Sequence, residues 1–240
     1  MRPTLTIILM ALLLQACGPL RQAQKVQSQV PILGSVGLYQ TTLFEKGFQK
    51  MGEPEFGRPI SVAIEPTSFS GNMRSKYDKY REHIGKAPLA KAMDSTQMED
   101  LKYYQLSISD VVSLVGELNK ESNSNLKKYL QEDTGLVLLS SMSFVAVAEL
   151  SMKLDTTEKL YLTTDRTGAL VLLIGGANSG YPIKQSALEI FDFETSAFCW
   201  QKDKRGKLDI AHILMDGGKC PGTTEANPEK LNKTPDYLKL

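Results

Sequence analysis

The chain has 240 residues, with 28 Lys and Arg against 27 Asp and Glu and a formal net charge of +1 at pH 7. So even a balance gives no general electrostatic case for nucleic-acid binding. Hydrophobic content of 42% is enough for an ordinary globular core, and the length suits one domain.

Arg2 places a positive charge beside the amino terminus, and Thr4 to Leu14 is an uncharged apolar run. The run falls short of the roughly 20 apolar residues that a spanning helix needs. A short apolar run behind a basic start has the shape of a secretory signal peptide, expected over residues 1–16. Leu14-Gln15-Ala16-Cys17 resembles the bacterial lipobox. That resemblance implies lipidation of Cys17, which becomes the first residue of the mature chain, and a body soluble but tied to a membrane. Stable anchoring takes more than one acyl chain, and lipoproteins of this class carry at least a diacylglyceryl group. Gly18 rather than Asp after the cysteine suggests the outer membrane.

Removing Arg2 with the leader leaves 27 cationic against 27 acidic residues. Cys199 and Cys220 then remain as an even pair in an exported chain, which favours a disulfide over two free thiols. With two His and no CxxC or HxxxH spacing, neither a metal site nor a cofactor is expected. Residues 17–31 are polar and Gln-rich and read as a tether. Residues 32–240 read as a single globular domain.

Val36 to Met51 carries apolar residues at Val36, Tyr39, Leu43, Phe44, Phe48 and Met51, a spacing that predicts a short amphipathic helix. Ile60 to Ile64 alternates as a strand, ended by Pro66. Met73, Tyr77, Tyr80 and Ile84 fall on one helical face, with His83 at the surface. Leu101 to Ile108 reads as a strand. Ser109 or Asp110 caps a helix bearing Val111 to Leu118. A second helix opens at Ser122 to Ser124 with Leu126, Tyr129 and Leu130 inward.

From Leu136 the texture changes. Leu136 to Leu150 predicts one bent strand or two, and Leu160 to Thr163, Ala169 to Ile174, Ala187 to Phe193, Ala197 to Gln201 and Leu208 to Met215 predict further strands. Asp165 to Gly168 and Lys202 to Lys207 are turns, Gly175 to Pro182 is a loop, and the tail from Cys220 is loosely packed. Short spacings imply antiparallel neighbours. The expected class is α+β, with an antiparallel meander in the C-terminal half and helices from the N-terminal half packed against it.

Ser124-Asn125-Leu126-Lys127 fits S-x-x-K, the nucleophile pattern of penicillin-recognising enzymes, without the companion S-D-N and K-T-G motifs. The simpler reading is a helix cap at Ser124 and a solvated Lys127. His212 lies among Leu208, Ile210 and Leu214 and reads as a hydrogen-bonded core residue. Asp192 and Glu194 share a strand face and read as turn residues rather than an acid–base pair. The glycines from Gly175 to Gly180 fit no phosphate-loop pattern. No catalytic residue is therefore assigned.

Asp192-Phe193-Glu194-Thr195-Ser196-Ala197-Phe198-Cys199-Trp200 resembles D-x-x-T-G-x-x-x-W, with Ser196 in place of glycine. That hairpin recurs in envelope lipoproteins similar to the TolB amino-terminal domain. The resemblance implies a turn at Asp192 to Ser196 and a return of Trp200 into the core. The expected function is that of a non-enzymatic, membrane-anchored lipoprotein. It would bind a protein partner in envelope assembly, secretion or maintenance. The alternative is a lipid-anchored small-ligand binder or hydrolase.

Overall fold

The computed structural model describes residues 31–41, 46–92, 101–177, 179–215 and 217–232. The leader, Cys17 and nearly all of the tether lie outside them. The class is α+β, and every strand pairing is antiparallel.

The predicted helix over Val36 to Met51 is instead a hairpin, β1 (Val36–Thr41) and β2 (Lys46–Gly52), with residues 42–45 outside the described set. β1 also pairs with β5 (Leu136–Val145) through Val36, Gly37 and Leu38. Gly37 shows why a helix loses: a Cβ there would sit 2.3 Å from the Gln49 carbonyl oxygen, so the two strands approach where only glycine fits. Val36 and Phe48 are buried as the spacing required, but Tyr39 and Met51 are exposed. Tertiary pairing overrides a helical period that short.

β3 (Ile60–Ser68) runs straight through Pro66, where a stop was expected. β6 (Leu160–Thr164) flanks it only as far as Val62, so beyond that point the strand has β4 (Lys102–Ile108) on one side alone. An edge position tolerates the missing donor of proline.

α1 (Gly71–His83) follows, capped by Ser70, whose hydroxyl accepts from the Met73 N–H. α2 (Val111–Leu118) is capped by Asp110, which accepts from the Ser113 N–H at 2.9 Å. A 3-10 turn leads into α3 (Ser124–Glu132). Leu130 points inward as expected, but Tyr129 is 63% exposed and Lys127 is buried in its place. After β5 the chain turns into a helix, α4 (Ala148–Asp155), where more strand was expected. β7 (Leu170–Ile174) and β8 (Tyr181–Lys184) complete a meander with β6. The Asp165 to Gly168 turn forms as read, with Asp165 accepting from Thr167 and Ala169 and Gly168 at φ 85°.

β9 (Glu189–Lys202) is one continuous strand. The turn that the D-x-x-T-G-x-x-x-W resemblance implies is absent: Asp192 pairs with Ser143 and Thr195 with Leu139, inside the ladder to β5. Serine at position 196 gives the backbone no left-handed escape, and pairing with β5 holds this stretch of the strand extended. Trp200 does enter the core, at 1% exposure. β10 (Leu208–Leu214) closes the hairpin through the predicted turn at Lys202 to Lys207. The sheet order is β10-β9-β5-β4-β3-β6-β7-β8, with four of its strands coming from the N-terminal half. The tail is better held than expected, because Trp200 and Glu225 exchange backbone hydrogen bonds of 2.8 and 3.0 Å.

One face of the sheet carries the main core, including Leu106, Ile108, Met142, Phe144, Leu160 and Leu162, with Leu114 and Leu118 of α2 in the same cluster. Each such side chain contributes about 1.5–3 kcal/mol by leaving water. On the opposite face α1 lays Tyr77 against Phe69 and Phe191, and Tyr103 joins the same aromatic group. Asp192 anchors this layer through Lys46 and Lys76, and Glu189 anchors it through Tyr77 and Lys86.

Three side-chain amides each pair with both backbone groups of one residue, as a neighbouring strand would. Gln185 does so for Leu33, Asn123 for Glu55 and Asn119 for Ile210. The last covers the outer edge of β10, which would otherwise be open to strand addition.

α4 is fixed to β4 by the Tyr104 hydroxyl, which donates to Asp155 at 2.7 Å and lies 2.5 Å from the Ser151 hydroxyl. Lys102 and then Tyr104 hold the Asp155 carboxyl below its ordinary value of 3.8. A carboxyl depressed in the folded state stabilises above its unfolded pKa and ceases to as pH falls through the folded one. Asp155→Asn is therefore expected to flatten the drop in melting temperature below about pH 4. An unchanged acid limb in a thermal melt series would count against this tie.

Candidate functional site

The cleft that stands out lies where α2 and α3 meet the β9–β10 turn. It has a volume of about 380 Å³. Asn119 from the end of α2 and Gln131 of α3 donate to the carbonyls of Ile210 and Leu208, which sets the spacing of the two walls. Ser124, Lys127 and Lys128 line one wall, Gly206 and Lys207 the other. The turn is rigid. Asp203 accepts from the N–H groups of Arg205 and Lys207 at 2.8 Å each, and the Lys207 bond is the first reason its carboxyl lies below the ordinary range. Gly206, at φ 79°, supplies the left-handed residue that closes it.

Ser124 and Lys127 thus share a cleft, as the S-x-x-K spacing allows. Lys127 does not face water, however. It is 5% exposed, and its ammonium donates to Asp209 Oδ1 at 2.7 Å. An ammonium committed to a carboxylate has no lone pair with which to take a proton from Ser124. Ser124 does not cap the helix either. The cap position is Asn123, whose side chain is spent on the Glu55 backbone and the Glu117 carbonyl. Incubation with a fluorescent penicillin is expected to leave the chain unlabelled. A covalent adduct at Ser124, read by mass spectrometry, would reverse this assignment.

His212 is not brought to the cleft. A bulge between Ile210 and His212 shifts the register, so Ile210 and Ile213 are buried while His212 is exposed. The two-residue alternation that placed it in the core fails at the bulge. His83 is exposed on α1. Asp192 and Glu194 sit on β9 away from the cleft lining. Asp192 holds two lysines and Glu194 is exposed. Among the described residues, no group of three His, Cys, Asp or Glu is placed to hold a metal ion.

Sequence reasoning passed over Lys120, Lys128 and Lys207. They come from segments far apart in the chain, and nothing local marks them as a set. The one available signal was the basic run at the Lys202 to Lys207 turn. Behind Lys120 lies Glu117, fully buried, accepting from the Gly57 N–H at 2.8 Å and paired with Arg58 and Lys120.

Cys199 and Cys220 meet as paired, with a Cα–Cα separation of 5.6 Å and an S–S bond. No helix among the described residues is long and apolar enough to cross a membrane. Comparison with family models, with curated proteins and with solved structures returns no match.

Proposed function

We propose that this chain is a bacterial envelope lipoprotein, anchored through Cys17 at the outer membrane. Its body works without catalysis, by binding a protein partner in envelope assembly, secretion or maintenance. The Leu14-Gln15-Ala16-Cys17 motif behind an apolar run carries the reading. The joined Cys199 and Cys220 are consistent with an oxidising compartment. For partner binding, the support is a set of exposed apolar side chains on and beside α4. Val147, Met152 and Tyr181 are each more than half exposed, and Lys153 lies 4.2 Å above the Tyr181 ring. The TolB-like resemblance adds little, since its turn does not form.

Mass spectrometry of the mature amino terminus is the test. The expected product begins at acylated Cys17, and Cys17→Ser is expected to abolish processing and membrane fractionation. Crosslinking in intact cells should then recover one envelope protein with the wild-type chain. A Cys17→Ser chain that still fractionates with membranes would remove the anchor from the proposal.

A second reading, a lipid-anchored binder of a small ligand, is favoured by one observation. The cleft gathers a serine and several lysines in a volume within the range of small-ligand sites.

A further inference from the structure

The turn joining β9 to β10 carries Lys202, Lys204, Arg205 and Lys207 against Asp203 alone. The chain as a whole is nearly neutral, so this is a local concentration of positive charge. Asp203 is directed at the turn's own backbone. Across the cleft stand Lys120, Lys127 and Lys128, against the single carboxylate of Glu121 in the lining. Two of these are accounted for structurally, Lys127 by Asp209 and Lys120 by Glu117. The other two cleft lysines are not. Lys128 reaches Glu132 only at 3.9 Å with both side chains mostly exposed, a pair of little energetic consequence. Lys207 has no carboxylate within ion-pair distance among the described residues.

The same wall begins a helix. Ser124 is the first residue of α3, and the capping position before it makes no side-chain bond to the first turn. A 3-10 turn runs into that start and the Ser124 N–H already bonds to the Glu121 carbonyl, so α3 opens no free end there and the cleft relies on its side chains. Among the described residues no arginine lines the cleft, so contact with an anion falls to compact ammonium groups, which hold a phosphate as point charges. The volume exceeds what a single ion needs.

We propose that this cleft binds a phosphate-bearing small group, held by Lys128 and Lys207 from opposite walls with the Ser124 hydroxyl as an added donor. The proposal rests on the ligand-binder reading above and is independent of the anchor. The phosphate belongs either to a free ion or ester or to a lipid headgroup, which offer the cleft the same chemistry.

Calorimetry on the full chain in neutral detergent separates these sources. Inorganic pyrophosphate serves as the free ion, and dihexanoyl phosphatidylglycerol below its micelle concentration serves as the headgroup. At least one is expected to bind, with affinity falling about tenfold or more in the Lys128→Ala/Lys207→Ala double variant. The Lys204→Ala/Arg205→Ala variant removes charge from the same turn but not from the cleft lining, and is expected to bind within about twofold of wild type. Far-UV dichroism and melting temperature check that both variants fold. Binding of neither probe, or equal weakening by both double variants, overturns the proposal. If glucose binds, Ser124→Trp blocks it and both phosphate probes fail, the anionic class falls and the ligand-binder reading stands. Silence from all three probes removes both.

Discussion

Replacing both Cys199 and Cys220 with alanine is expected to destabilise the chain by about 3 kcal/mol, the chain-entropy value for a closed loop of this size. The two cysteines are 21 residues apart, so the bridge ties down the β9–β10 hairpin and the segment that follows it. For a body of this length the loss corresponds to about 6–12 °C in melting temperature. The double variant is the right test, because a single change leaves a buried free thiol at Cys199. Trp200 is the chain's single tryptophan and sits beside Cys199, with its backbone paired to Glu225. Its emission is expected to shift to the red as the bridge is reduced, in step with loosening of residues 220–225. An unchanged melting temperature and an unchanged spectrum would mean that the bridge adds nothing to a tail already fixed by packing.

Gln185→Ala is expected to cost about 3 kcal/mol, although it deletes only one side chain. The Gln185 amide accepts from the Leu33 N–H at 2.7 Å and donates to the Leu33 carbonyl at 3.3 Å, and both residues are almost fully buried. Alanine leaves a buried donor and acceptor facing a void that water enters only at a cost. The loss falls at the point where the start of the described chain crosses to the end of β8. Gly34 and Ser35 meanwhile bond to Leu139 of β5, so the amide links two distant parts of the sheet. Gln185→Glu separates the two halves of the bond. The carboxylate still accepts from Leu33 but faces carbonyl oxygens with no proton to give. Burial raises its folded pKa above the unfolded value, so the variant's stability is best below the unfolded pKa and is lost as pH rises through the folded one. Urea titrations at two pH values read this directly. A Gln185→Glu chain as stable as wild type at neutral pH would show that the amide bridges nothing.

Residue patterns alone gave the class, the antiparallel pairing, helices α1, α2 and α3, the turns at Asp165 and Lys202, and the cysteine pairing. These features are encoded locally, in caps, in turn residues and in alternation over a few residues, and local signals survive burial. What failed was decided elsewhere in the chain. Val36 to Met51 spaces its apolar residues like a helix, yet β5 offers an edge that turns it into a hairpin. The stretch from Asp192 to Ser196 contains good turn residues, yet β5 keeps it extended. His212 moved from core to surface through one bulged residue.

The candidate site divides in the same way. Ser124 and Lys127 were visible as a pair because a helical turn fixes their spacing. The pairing of Lys127 with Asp209, and the arrival of Lys207 opposite Lys128, required the β9–β10 hairpin to fold back on α3. An isolated charge run reports only that its residues prefer water. Whether two such runs face one another across a gap depends on chain crossings many residues long, which no window of sequence contains. The sequence by itself determined the class, three of the helices and the local turns. Only the tertiary structure decided which cations share a cleft, because shared position is a property of packing rather than of composition.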